Sequence, residues 1–188
     1  MKIITIARPR VLDIHGQRVL DIRHRYTNDR IISNPRAAIV AIAIHHDGVA
    51  MANASSPTDE LARLDAIYNH AAQQDWLRFP YPFVVFPNGR TYYTLNLNHQ
   101  PSQLAGRNHK TRGVAIAGNY MTRRPSNQAI CGAATAILTT YAWSRAIVPI
   151  GKHADLALPA YPTSCCGNSW PSWAKDLHAA VLARYTAP

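Results

Sequence analysis

A chain of 188 residues, 47% of them hydrophobic, is long enough for one ordinary domain with a single packed core. Only 16% of the residues are charged, but 20 Lys and Arg against 10 Asp and Glu give a formal net charge of +10. The composition excludes an intrinsically disordered chain. The charge favours a polyanionic partner such as nucleic acid, an anionic cell envelope or an acidic membrane, with a solvated basic surface as the alternative.

The first ten residues, MKIITIARPR, are not typical of a secretory signal, because Arg8, Pro9 and Arg10 interrupt a short apolar run. No stretch of the sequence approaches the length of a membrane span. We therefore expect synthesis in the cytoplasm as a soluble protein without a signal peptide. Any action outside the cell would then need another route of release.

Residues 1–36 are predicted to form a basic N-terminal extension. RVLDI at 10–14 recurs as RVLDIR at 18–23, and both copies alternate in polarity, which predicts a β-hairpin. We expect this segment to bind anionic envelope polymers, and a hairpin that only extends a sheet is the alternative. Eight of the basic residues lie in it: Lys2, Arg8, Arg10, Arg18, Arg23, Arg25, Arg30 and Arg36.

Predicted strands and helices alternate over residues 37–188. The continuous apolar run AAIVAIAI at 37–44 predicts a strand that is buried on both faces. This order predicts a single α/β domain with a central mixed β-sheet flanked by helices. The further elements, in chain order, are a helix that begins at Pro57, strands at 80–86, 90–98 and 113–118, a helix from Pro125 to about Trp143, and a helix from about Pro171 to Tyr185.

The three cysteines are an odd number, which argues against a disulfide framework. Cys131 lies in an apolar helical stretch and is predicted to be a core residue. Cys165 and Cys166 are adjacent, and a disulfide between neighbours is strained. One of these two cysteines is therefore predicted to bind a metal.

Two histidines complete a candidate metal site. His45 follows the first buried strand, His153 follows the long second helix, and Cys165 lies twelve residues after His153. Imidazole and thiolate are good zinc ligands, and three protein ligands leave a fourth position for water. The spacing alone is weak support, because nine histidines allow many accidental pairings. A hydrogen-bonded structural role for His45 is the alternative.

Four segments follow one another in a recognisable order: IAIHHD at 42–47, YPFVVFPNGRTY at 81–92, RNHKTRGVAIAGN at 107–119 and KHADLALPAYPTSCCGN at 152–168. Together they resemble the zinc-dependent N-acetylmuramoyl-L-alanine amidase family, which includes phage amidase-type lysozymes and peptidoglycan recognition proteins. The resemblance covers about residues 37–175. It implies a zinc enzyme that hydrolyses the amide bond between N-acetylmuramic acid and L-alanine in bacterial peptidoglycan.

The resemblance also implies roles for individual residues. His45, His153 and Cys165 correspond to the zinc ligands, and Tyr81 corresponds to the catalytic tyrosine. Thr163 falls where the family has a Lys or Thr that holds or polarises the reacting carbonyl. Zinc lowers the pKa of a bound water to about 7, and the hydroxyls of Tyr81 and Thr163 could stabilise the oxyanion. Without the family, Tyr81 would be read as a core aromatic.

Some positions depart from the family pattern or stay open. Cys166 replaces the proline that usually follows the last ligand, so either Cys165 or Cys166 could be the zinc ligand. The alignment with the family motif favours Cys165. Ala115 stands where some members have a glutamate base, although several phage members also lack that carboxylate. His99 and His109 are predicted to contact substrate or to be simply exposed. Asp155 is predicted to orient a ligand or to cap a loop.

We expect a monomeric phage or prophage endolysin that acts on the cell wall, because a basic domain without a leader suits that role. One alternative is a non-catalytic peptidoglycan-binding recognition module, which would lack a zinc ligand. Another is a cytoplasmic muropeptide-recycling amidase, which has less need of a basic surface. Specific nucleic-acid binding is not expected, because no predicted helix concentrates Lys and Arg on one face.

Overall fold

The computed structural model describes residues 10–14, 17–26, 32–51, 55–76 and 78–185. Two single turns of 3-10 helix occur at Arg23–Arg25 and Arg36–Ala38. The strands are β1 Arg10–Ile14, β2 Gln17–Asp21, β3 Ala41–His46, β4 Phe83–Val85, β5 Thr91–Tyr93, β6 Thr111–Ile116 and β7 Ile150–Lys152. The helices are α1 Pro57–Gln73, α2 Asn127–Ser144, α3 His153–Leu156 and α4 Trp170–Tyr185.

The strands form one seven-stranded mixed sheet in the order β1-β2-β5-β4-β6-β3-β7. The neighbours β4, β6, β3 and β7 run parallel, while β1 pairs antiparallel with β2 and β4 antiparallel with β5. Helices pack on the sheet to make a single α/β domain, as the sequence predicted. No helix in the described ranges is long and apolar enough to cross a membrane.

Alternate residues of the central strands face two separate hydrophobic cores. Ile42 and Ile44 of β3 pack with α2 and α4, in the core that contains Trp173. Residues of the opposite face pack with α1, in the core that contains Leu64. In register, His45 lies beside Ala115 of β6. His45 therefore points to the α1 side of the sheet.

Helix α1 begins where the sequence predicted a cap followed by proline. The Ser56 side chain accepts a hydrogen bond from the Asp59 backbone at 3.2 Å, and the Asp59 carboxylate accepts one from the Ser56 backbone at 3.1 Å. Pro57 occupies the first helical position. The fully buried Glu60 pairs with Arg90 at 2.6 Å, which anchors the start of α1 to the turn between β4 and β5.

The two copies of the N-terminal repeat form the antiparallel pair β1 and β2. β2 continues the sheet by pairing in parallel with β5, and its Val19 is fully buried. Tyr26 packs in the α1 core, and Arg25 pairs with Asp65 of α1 at 2.6 Å. The hairpin thus extends the sheet, while the domain boundary at residue 36 stays a prediction. Residues 1–9 lie outside the described ranges.

Candidate metal centre

Three elements at one edge of the sheet supply the candidate ligands. β3 and β7 run parallel with Ile44 beside Lys152, so His45 at the end of β3 and His153 at the start of α3 follow this pair at equivalent positions. Cys165 reaches the same place from the loop before α4. Their potential ligand atoms lie within 4.8 Å of one another, and the two imidazole centroids are 4.5 Å apart. The fold thus brings together the three side chains predicted to bind zinc.

The chemistry of this His-His-Cys cluster fits zinc. Burial lowers the pKa of His45, which favours a neutral imidazole with a free lone pair. The neighbouring Cys166 thiol lowers the pKa of the Cys165 thiol, burial opposes this shift, and the two imidazoles lower the pKa further. Metal binding requires deprotonated thiol and neutral imidazole. These two shifts therefore favour the ligand forms that a zinc ion needs.

The loop around Cys165 is held by several backbone contacts. Its sulfur accepts a hydrogen bond from the His46 amide at 3.3 Å, and its carbonyl accepts one from the Ala154 amide at 2.7 Å. Gly167 has φ +81°, and a Cβ there would lie 2.3 Å from the Met121 Cα. A glycine is therefore required at 167 for the loop to approach the segment after β6 so closely.

The two adjacent cysteines have different surroundings. Cys166 is fully buried in the core on the α2 side, and its thiol donates to the Ile44 carbonyl at 2.8 Å. Cys165 is half-buried and lies in the cluster. The geometry thus favours Cys165 over Cys166 as the ligand.

Tyr81 and Thr163 are the two residues whose hydroxyls are predicted to stabilise the oxyanion. The Tyr81 ring centroid is 5.1 Å from that of His45. Burial raises the pKa of Tyr81, so its hydroxyl stays protonated at neutral pH and can donate. The Thr163 hydroxyl oxygen accepts a hydrogen bond from the Cys165 amide at 3.2 Å. This bond does not use the hydroxyl hydrogen of Thr163, which can be donated to another acceptor.

A groove of about 400 Å³ opens beside Tyr81, between α1 and the end of β3. Its walls include the pair formed by Asp47 and Arg63 at 2.7 Å, and the half-exposed Trp76. Asp47 also accepts the Gly118 amide at 2.8 Å and so joins the ends of β3 and β6. Sequence reasoning did not identify Asp47 or Arg63 as part of the site.

Sequence reasoning also missed Gln103, in the loop between β5 and β6. Its side-chain oxygen is hydrogen-bonded to Nε2 of His45, and both residues are buried. The available signal was indirect: Gly113 and Ala115 are small residues on the same face of β6. Such residues in a strand often mark the close approach of another group.

The remaining polar residues named from the sequence contact other groups. Nδ1 of His46 accepts the Tyr120 amide at 2.9 Å, in keeping with a structural role. His99 forms an isolated bridge with Ser33, and Asp155 pairs with Lys152 at 3.4 Å. His109 is exposed, and its carbonyl accepts a hydrogen bond from Asn34. Within the described part of the chain, these contacts do not reach the cluster.

The fold is that of the N-acetylmuramoyl-L-alanine amidases and peptidoglycan recognition proteins, so the resemblance noted in the sequence is confirmed at the level of the fold. The endolysin amidase LysCS from Clostridium intestinale URNW matches with a TM-score of 0.66 and 18% identity, over 87% of this chain and 95% of its own. The Ph2119 endolysin from the Thermus scotoductus MAT2119 bacteriophage matches with a TM-score of 0.63 and 20% identity, over 87% and 99%.

The recognition protein PGRP-SA from Apis mellifera is similar too, with a TM-score of 0.66 and 22% identity, over 80% of this chain and 93% of its own. No protein-family profile and no curated protein sequence matches the chain. The sequence identity to each of these structures is below 25%, so the likeness establishes the fold alone.

Proposed function

We propose that the protein is a zinc-dependent amidase that cuts peptidoglycan between N-acetylmuramic acid and L-alanine. The observation that carries the proposal is the cluster of His45, His153 and Cys165, with Tyr81 and a groove beside it. The two endolysins with the same fold support this substrate and a role as an endolysin that acts on the cell wall.

In this proposal the chain contributes ligands and hydrogen-bond donors. Bound zinc would polarise the amide carbonyl and activate a water as the nucleophile. The Tyr81 hydroxyl and the free hydrogen of Thr163 would donate to the oxygen on which negative charge develops. The groove next to Tyr81 would hold the substrate, and Trp76 would offer it an apolar surface.

The first prediction concerns the bond that is cut. Mass spectrometry of purified peptidoglycan after digestion should find stem peptides with a free N-terminal L-alanine and intact glycan chains. A chelator should abolish the release and added zinc should restore it, because the proposed nucleophile is a water activated by zinc. Products cut at glycosidic bonds, or at bonds within the stem peptide, would contradict the proposal.

A non-catalytic recognition module is the second candidate function, and the fold shared with PGRP-SA supports it. The complete His-His-Cys set favours the enzyme, because a binding module has no need of a zinc site with an open position. Retention on peptidoglycan without any release of peptides would favour the module. Faster cleavage of soluble muropeptides than of intact walls would favour a recycling amidase.

The second prediction tests electrostatic targeting by the N-terminal hairpin. Arg23 and Arg25 are held in internal pairs with Asp21 and Asp65, so reversing their charge would disturb the fold. Arg18 is exposed. Arg18→Glu should weaken binding to whole cell walls by about two- to fivefold, the effect of a surface pair worth about 0.4–1 kcal/mol.

Lys175→Glu is the matched control, because Lys175 is also exposed but lies on α4. Sedimentation with walls at low and high salt measures the effect, since salt shortens the Debye length from about 10 Å at 0.1 M to about 3 Å at 1 M. Cleavage of a soluble muropeptide should be unchanged in both variants. Equal losses of wall binding in the two variants would mean that net charge matters and the hairpin does not.

A further inference from the structure

A chain of buried hydrogen bonds begins at His45 and ends on the backbone of the loop before β6. Nε2 of His45 is in contact with Oε1 of Gln103. Nε2 of Gln103 donates to the Thr111 hydroxyl at 2.7 Å, and that hydroxyl donates to the Arg107 carbonyl at 3.0 Å. Gln103 and Thr111 are 7% and 1% exposed, so water competes little for these groups.

The direction of each hydrogen bond follows from the acceptor at the end of the chain, the Arg107 carbonyl. The Arg107 carbonyl can only accept, so it takes the single hydrogen of the Thr111 hydroxyl. That hydroxyl must then accept from Gln103, which places the amide nitrogen of Gln103 at Thr111 and its oxygen at His45. An amide oxygen only accepts, so Nε2 of His45 must carry the hydrogen. The lone pair of the neutral ring is then on Nδ1.

We propose that Gln103 is a positioning residue that holds His45 in one tautomer and orientation, with Nδ1 as the atom offered to the metal. The proposal rests on the cluster as the metal site of the proposed function, but not on which bond is hydrolysed. A partner that accepts the N–H of the ring nitrogen not bound to the metal fixes a histidine ligand's ring and raises its basicity. Gln103 thus supports zinc affinity without touching the metal.

The packing around Gln103 supports the same role. Gly113 lies opposite Ala43 in the register of β3 and β6, two residues before the neighbour of His45. A Cβ at Gly113 would lie 3.0 Å from the Gln103 oxygen and 3.1 Å from its Cδ. The backbone amide of Gln103 is held by Asn108 at 2.9 Å. The glycine in β6 therefore leaves room for the Gln103 side chain, and the hydrogen bond to Asn108 fixes the position of its backbone.

The test is the third prediction and compares the wild type with Gln103→Leu, Gln103→Glu and Thr111→Val. Zinc affinity is measured by competition with a chelator, and the His45 tautomer by ¹⁵N NMR of the zinc-loaded protein. Gln103→Leu should lower zinc affinity by about 10- to 100-fold, because the ring loses its acceptor. Gln103→Glu should stay within a few-fold of the wild type, because a carboxylate accepts the same hydrogen and the Thr111 hydroxyl can turn to donate to it.

Thr111→Val leaves Gln103 in place but removes the group that sets the direction of its amide. It should give a mixture of His45 tautomers and a smaller loss of affinity. Folded Gln103→Leu or Thr111→Val proteins with wild-type affinity and tautomer would overturn the proposal, as would equal losses in Gln103→Leu and Gln103→Glu. Thermal melts establish folding. Because zinc binding is measured without peptidoglycan, failure of the amidase assay alone would count against the proposed function and not against Gln103.

Discussion

Cys165→Ala is expected to abolish both zinc binding and amidase activity, whereas Cys166→Ala is expected to keep both. The first change removes one of three clustered ligands, and two imidazoles alone bind zinc much more weakly. The second change removes a thiol that lies in the hydrophobic core and donates to the Ile44 carbonyl. It should cost about 1–2 kcal/mol of stability and leave the cluster in place.

Zinc content by mass spectrometry of the purified variants, with release of dye from labelled cell walls, measures both effects. Cys131→Ala is a control for the loss of a cysteine, because Cys131 lies in α2 away from the cluster. A zinc-free Cys166→Ala protein beside a zinc-loaded Cys165→Ala protein would show that the loop presents the other cysteine. Comparison of melting temperatures separates loss of metal from loss of fold.

The fold class could be predicted because hydrophobic periodicity is local information. The apolar runs before His45 and around Phe83 are strands in the structure, and the cap at Ser56 begins α1. The first run is shorter than predicted, since Arg36–Ala38 forms a 3-10 turn and Val40 is 56% exposed. Turn formation by neighbouring residues thus overrides the hydrophobic pattern at the start of this strand.

β7 was not predicted, because its three half-buried residues, Ile150–Lys152, are too few to show a period. This strand nevertheless carries His153 to its place beside His45. The pairing of β2 with β5 was also beyond sequence reasoning, since β-ladders between distant segments leave no local signal. The hairpin itself was recognisable because its two copies repeat one alternating pattern.

The residues of the candidate site also fall into two groups, those that motifs predicted and those that only the fold reveals. His45, Tyr81 and Cys165 could be proposed from motifs in a family order, and the structure brings them together. Gln103 and Asp47 could not be proposed, because their contacts to His45 and Gly118 join residues 58 and 71 positions apart. A residue that supports a ligand has no fixed type or spacing, and only the folded chain reveals it.

Tyr81→Phe is expected to lower kcat by one to three orders of magnitude, about 1.4–4 kcal/mol, with little change in stability. The change removes only the hydroxyl, and the ring that packs 5.1 Å from His45 remains. Among the described residues, no hydrogen bond ties this hydroxyl to another group, so folding should not depend on it. Zinc affinity should also be unchanged, because Tyr81 is not one of the clustered ligands.

The ratio of the effects on kcat and KM decides what Tyr81 does. If its hydroxyl donates to the oxyanion, kcat falls and KM on a soluble muropeptide stays near the wild-type value. A rise in KM with unchanged kcat would mean that Tyr81 only binds substrate. Because burial and the nearby Cys165 raise the pKa of Tyr81, the hydroxyl stays protonated through neutral pH, and its loss should lower the rate equally across that range. Unchanged turnover would remove Tyr81 from the mechanism.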